Sequence, residues 1–127
     1  MMKVAVIFVD PDKLHPNDLA KEGLTAEKLH GQIAEQMLLL REESGFEAVL
    51  HYTSDNHTMA VDEVTLFLAS FQPDIILIGS AMRGASQLMK VGDDNAYIEA
   101  VYAAAPQAKV TYSSNPKDFV TAVRILA

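Results

Sequence analysis

Behind a run of apolar residues, the stretch FVDPDKLHPNDLAKEG (Phe8 to Gly23) gathers Asp10, Asp12, Asp18 and His15. Carboxylates are hard oxygen donors and imidazole is a borderline one. Asp10, Asp12 and His15 therefore begin a Mg²⁺ or Mn²⁺ site without completing it. The plainer alternative is a solvated loop shaped by the turn formers Pro11, Pro16 and Asn17. A second stretch, PDIILIGSAMRGASQLMKVGDDN (Pro73 to Asn95), places Gly79, Ser80, Arg83, Gly84 and Gly92 ahead of Asp93 and Asp94. Backbone amides following glycines at a strand-to-helix junction suit an anion, and Arg83 is the best candidate to meet a ligand phosphate or carboxylate. The competing reading is a tight turn shaped by Gly79 and Gly84, with Arg83 in solvent. His51 and His57, with Asp55, offer a further metal pair, against the commoner capping or surface role.

The elements that must position these residues are legible as alternating periodicities. KVAVIFV (Lys3 to Val9), EAVLHYT (Glu47 to Thr53), DIILIGS (Asp74 to Ser80) and KVTYS (Lys109 to Ser113) read as strands. A first helix caps at Thr25 with Leu24 and Leu29 as a staple, turns Leu29, Ile33, Met37 and Leu40 to one face, and stops at Gly45. A second follows Thr58 as cap and carries Val61, Val64, Leu68 and Phe71, and a third is marked by Ile98, Val101, Tyr102 and Ala105. The last opens Asn115-Pro116-Lys117-Asp118 and buries Phe119, Val123 and Leu126. Tyr97, Tyr102 and Met89 read as packing before they read as contacts to a flavin or other aromatic ligand.

Strands one and three are apolar almost throughout, the pattern of parallel strands covered on both faces, and β-α alternation implies right-handed crossovers. The expected fold is a doubly wound, Rossmann-like or flavodoxin-like α/β sandwich of three layers, with a four-stranded parallel sheet in the order 2-1-3-4. Its topological switch point lies between strands one and three, so the loops Asp10 to Leu24 and Gly79 to Gly92 flank the place where such sheets bind ligands.

Composition narrows the function classes. A chain of 127 residues, 50% hydrophobic, suits one domain with a substantial core. The absence of cysteine excludes disulfides, thiolate zinc sites and cysteine nucleophiles. A net charge of -7 opposes binding to nucleic acid and to anionic membranes. Met1-Met2-Lys3 leads into only Val4 to Val9, too short an apolar run for a signal peptide or a membrane span, so a cytoplasmic protein is expected.

Several families share parts of this pattern. Pro73 to Asn95 resembles the last nucleotide-binding loop of universal stress proteins, with Gly79 and Gly92 at the spacing of the outer glycines, Met82 at the middle glycine position and Asp93 in place of a hydroxyl residue. Pro73 to Gly84 is similar to the corresponding strand and loop of electron-transfer flavoproteins. This resemblance implies an adenine nucleotide such as ATP held near Asp10, Gly79, Ser80, Arg83, Gly84 and Gly92. Asp10-Pro11-Asp12, Thr53-Ser54 and Val91-Gly92-Asp93-Asp94 resemble the ordered motifs of haloacid-dehalogenase-type phosphatases, with Leu14 where Thr is expected. That implies Asp10 as nucleophile, Asp12 as acid/base, Thr53 or Ser54 on phosphate, and Mg²⁺ on Asp10, Asp93 and Asp94. Asp12 to Asp18 is similar to the Asp-x-x-His-Pro block of SGNH hydrolases, whose Gly-Asp-Ser block is absent. Pro73 to Ile78 resembles the phosphoacceptor strand of response-regulator receivers, with Gly79 at the aspartate position. Cobalamin-binding domains are similar in outline only, since their Asp-x-His-x-x-Gly signature is not formed at His15 or His30.

The expectation is a domain that binds or senses a small anionic ligand, an adenine nucleotide or another anion, without strong catalysis of its own. The alternatives are a Mg²⁺-dependent phosphatase and a non-phosphorylatable, receiver-like protein-interaction module. The sheet's open edges predict a homodimer. Gly79 is expected to admit a ligand to the backbone, so that a larger residue would block the crevice and cost stability only through the turn.

Overall fold

The computed structural model describes residues 2–13, 16–21, 23–43, 45–53, 57–79, 94–113 and 118–127. Apolar runs give the strands β1 (Met2–Val9) and β3 (Ile75–Gly79), and mixed, β-branched and aromatic runs give β2 (Phe46–Thr53) and β4 (Lys109–Ser113). They form a four-stranded sheet in the order β2-β1-β3-β4. Every pairing is parallel, with Val4 opposite both Ala48 and Ile75, and Ile75 in turn opposite Lys109. The helices are α1 (Pro16–Lys21), α2 (Ala26–Glu42), α3 (His57–Phe71), α4 (Asp94–Ala104) and α5 (Phe119–Leu126), and a short 3₁₀ turn spans Pro11–Lys13.

Alternation along β1 creates the two outer layers. Val4, Val6 and Phe8 pack with Leu29, Ile33, Met37 and Leu40 of α2 and with Phe119 and Val123 of α5. Ala5, Ile7 and Val9 pack on the opposite face with Ala60, Val64 and Leu68 of α3, with Tyr97 and Val101 of α4, and with Ala105 just beyond it. The helix pairs thus cover both faces, which is why β1 and β3 have no polar side.

Local signals set most helix limits. Thr25 is extended and its hydroxyl accepts from Lys28 N–H, satisfying one of the orphan donors at the start of α2. Gly45, at φ +98°, makes the turn from α2 into β2, where an L side chain is strained. Two expectations are corrected. Thr58 lies inside α3, which begins at His57, and does not cap it. On α4 the buried stripe runs through Tyr97, 1% exposed, while Tyr102 is 48% exposed; Tyr97, Val101 and Ala105 succeed one another at four-residue steps. Asp118 is the N-cap of α5 without a side-chain cap bond, and Asn115 lies outside the described residues. No helix among the described residues is long and apolar enough to cross a membrane.

Candidate functional site

In a β-α-β unit the helix runs antiparallel to its strands, so the first turns of α2 lie beside the carboxyl ends of β1 and β2. That geometry brings His30, on the second turn of α2, to the residues that follow β1. His30 Nε2 lies 3.2 Å from Asp12 Oδ1 and 3.8 Å from Asp10 Oδ1. Asp10 is itself fixed by the backbone: its Oδ1 accepts from Asp12 N–H, and its N–H donates to the Thr53 carbonyl. One ligand atom from each of Asp10, Asp12 and His30 falls within 4.8 Å of the others. Neighbouring ligands of an ion bound at about 2.1–2.5 Å are roughly 3–3.5 Å apart, so the three groups can close on one cation with small side-chain rotations. Two carboxylates and one imidazole make a mixed oxygen and nitrogen set suited to Mn²⁺ or Zn²⁺.

The other ring nitrogen of His30 is also held. Nδ1 lies 3.1 Å from the hydroxyl of Tyr52, and the two rings meet edge to face. With Nδ1–H donating to Tyr52, Nε2 turns its lone pair toward the carboxylates, the form a metal requires; with Tyr52 donating, Nε2–H donates to Asp12. Burial, and then the charges of Asp10 and Asp12, raise the Tyr52 pKa, so the phenol keeps its proton. The site is partly open, with the Asp10 side chain 30%, the His30 side chain 34% and the Asp12 side chain 67% exposed.

Thr53 closes the deep side of this end of the sheet. It is fully buried, and its hydroxyl is hydrogen-bonded to that of Tyr97 on α4. Burial raises the Tyr97 pKa strongly, against the hydrogen bond from Thr53 and with a further push from Glu63. The Thr53 hydroxyl is thus engaged with Tyr97 in the core, and Ser54, the alternative expected on phosphate, lies outside the described residues.

Gly79 ends β3 at the switch point, buried and paired with Ser113. A Cβ there would lie 2.4 Å from Cε1 of Phe8, so the ring occupies the space beside the glycine. This corrects the expectation that a larger residue at Gly79 acts only through the turn and the ligand. Asp94 opens α4. His15, Ser54, Asp55, Ser80, Met82, Arg83, Gly84, Gly92 and Asp93 lie outside the described residues, as do the roles expected of them.

His51, expected as half of a metal pair, belongs to the other face of β2. Its ring stacks on Phe67 at 4.9 Å and 10°, its Nε2 is buried with no hydrogen-bond partner, and burial lowers its pKa against the opposing charge of Glu63. At the opposite end of the sheet, a polar cleft of about 510 Å³ is lined by Ala69, Gln72, Asp74, Ala104 and Gln107.

Reading the motifs misses His30 and Tyr52. Their signal is positional: His30 follows the Thr25 cap by little more than one turn, and Tyr52 sits near the carboxyl end of an apolar strand, so both belong to the end of the sheet where Asp10 emerges. Compared with family models, with curated proteins and with solved structures, the chain matches none.

Proposed function

We propose that the chain binds a small anionic ligand, with an adenine nucleotide as the class to test first, at the carboxyl ends of β1 and β3, through a divalent cation held by Asp10, Asp12 and His30. The observation that carries this reading is the convergence of those three side chains, from two different elements, at the edge of the switch point. Two carboxylates at the mouth of the crevice repel a phosphate approaching alone. A bound cation reverses the sign of the local field and bridges ligand to protein. Tyr52 would hold His30 in the ligating tautomer, acting on the cation only through the imidazole.

The test is calorimetric titration of MnCl₂ into the protein, then of ATP with and without Mn²⁺. Saturable Mn²⁺ binding is expected, with ATP binding only in its presence. Asp10→Asn and His30→Ala should each weaken Mn²⁺ by at least about tenfold. ATP binding of equal strength without the cation, or Mn²⁺ binding unchanged in both variants, would refute the proposal. Release of inorganic phosphate that is lost in Asp10→Asn would instead assign the site to phosphoester hydrolysis.

A further inference from the structure

His30 meets a polar partner at each ring nitrogen, and the chemistry of those partners fixes the direction of both contacts. Nε2 faces Asp12 Oδ1 at 3.2 Å. An ionised carboxylate has no hydrogen to give, and two lone pairs turned on each other repel, so without a cation the neutral imidazole carries its hydrogen on Nε2. Nδ1 is then a bare lone pair 3.1 Å from the Tyr52 hydroxyl, and the hydroxyl must donate to it. The contacts run one way, from Tyr52 through His30 to Asp12.

A cation on Asp10, Asp12 and His30 cannot bind without reversing that direction. Coordination uses the Nε2 lone pair, so the ring hydrogen must sit on Nδ1 instead. Nδ1–H then donates, and the Tyr52 oxygen becomes the acceptor. The protons balance: ring and phenol carry one each before and after, and the exchange releases none. What changes is the phenolic hydrogen, which no longer has His30 as its acceptor.

The fold keeps that hydroxyl where it is. Tyr52 is half-buried, packs against the core on the Phe8 face of the sheet, and meets the His30 ring edge to face. Burial, and then the charges of Asp10 and Asp12, hold its pKa up; a cation offsets the two charges and leaves the burial, so the phenol still has a hydrogen to donate. A half-buried O–H without an acceptor is costly. Asp10 and Asp12 are poorer acceptors once their charge is drawn to the cation. An anionic oxygen arriving on the same cation restores the lost bond.

We propose that cation binding turns the Tyr52 hydroxyl from a donor to His30 into a donor to the anionic ligand, so that the cation binds first and Tyr52 then recognises an oxyanion such as a nucleotide phosphate. The inference rests on the cation site proposed above. It adds a ligand-binding residue and an order of binding to that site.

The experiment reads the tautomer and the affinity separately. The chain has four histidines, so they are labelled with ¹⁵N and the His30 ring is assigned by its disappearance in His30→Gln. At about pH 8, where an ordinary imidazole is neutral, the hydrogen should be on Nε2 without metal and on Nδ1 when diamagnetic Zn²⁺ is saturating. A hydrogen already on Nδ1 in the metal-free protein overturns the inference and leaves the cation site standing. A His30 ring that Zn²⁺ does not perturb ends the cation site and the inference with it. Tyr52→Phe keeps the ring and removes only the hydroxyl. With both proteins saturated in Mn²⁺, the variant should bind Mn²⁺–ATP at least about tenfold more weakly than the unaltered chain, the scale of one hydrogen bond to a charged group. Equal affinities overturn the inference, and so does an unaltered chain that exchanges tautomers yet binds no Mn²⁺–ATP.

Discussion

Gly79→Ala tests whether the end of β3 is built around a side chain or left open for a ligand. The added Cβ would sit 2.4, 2.6 and 2.7 Å from three ring atoms of Phe8. Carbon atoms rest comfortably at about 3.5 Å, so the ring must retreat by roughly 1 Å. It has little room to do so. Phe8 is 4% exposed and packs at 5.4 Å, tilted, against the fully buried ring of Phe119. The backbone of Gly79 is tied by its pairing with Ser113 on β4 and follows Ile78, which pairs with Ile7 of β1, so it cannot easily yield instead. Overpacking of this kind costs about 1–3 kcal/mol. Replacing a strand glycine by alanine recovers about 0.5–1 kcal/mol of backbone freedom. A net loss of about 1 kcal/mol is expected from the midpoints of these two ranges, read as a shift of the urea midpoint at constant slope. The mechanism is separable from a general effect of alanine by repeating the change in a Phe8→Leu background, where the smaller, more mobile side chain should relieve at least about 0.5 kcal/mol of the penalty. An unaltered midpoint for Gly79→Ala, or an identical penalty in both backgrounds, would refute the packing argument.

Two further outcomes follow from buried polar groups. His51 has a folded-state pKa lowered by burial, so below the unfolded value of about 6.5 the unfolded chain binds a proton that the folded chain resists; stability is intact above that pH and falls as it is crossed downward, by at most about 1.4 kcal/mol per pH unit for this one group. His51→Phe keeps a ring against Phe67 and should flatten the pH dependence of urea unfolding below about pH 6.5 relative to the unaltered chain, whereas identical profiles would exclude His51 as the source. Tyr97→Phe leaves the Thr53 hydroxyl buried without its partner and should cost about 1–3 kcal/mol, while adding Thr53→Val should recover part of that loss; a double variant less stable than Tyr97→Phe would show that the pair does not act as a unit.

The fold was legible because its determinants are local. The apolar run of β1 needs cover on both faces, the Leu29-Ile33-Met37-Leu40 stripe has one side to bury, and Thr25 satisfies an amide three residues on; each signal lies within one element, and the strand order follows from the connections between them. The exchange of Tyr102 for Tyr97 shows where local periodicity is weak: α4 is apolar on several sides, and what selects Tyr97 is the Thr53 hydroxyl, 44 residues away in sequence. The site is non-local in the same sense. Asp10 and Asp12 were conspicuous as a motif, but the imidazole that meets them is His30 on α2, oriented by Tyr52 on the next strand. Register and direction bring them together, not spacing within a motif. In an open parallel sheet those two quantities are fixed once strand order and helix direction are known. A histidine one turn into a helix and a tyrosine near the end of the next strand must then reach the same end of the sheet, so candidate sites in this architecture are better sought by distance from that end than by motif.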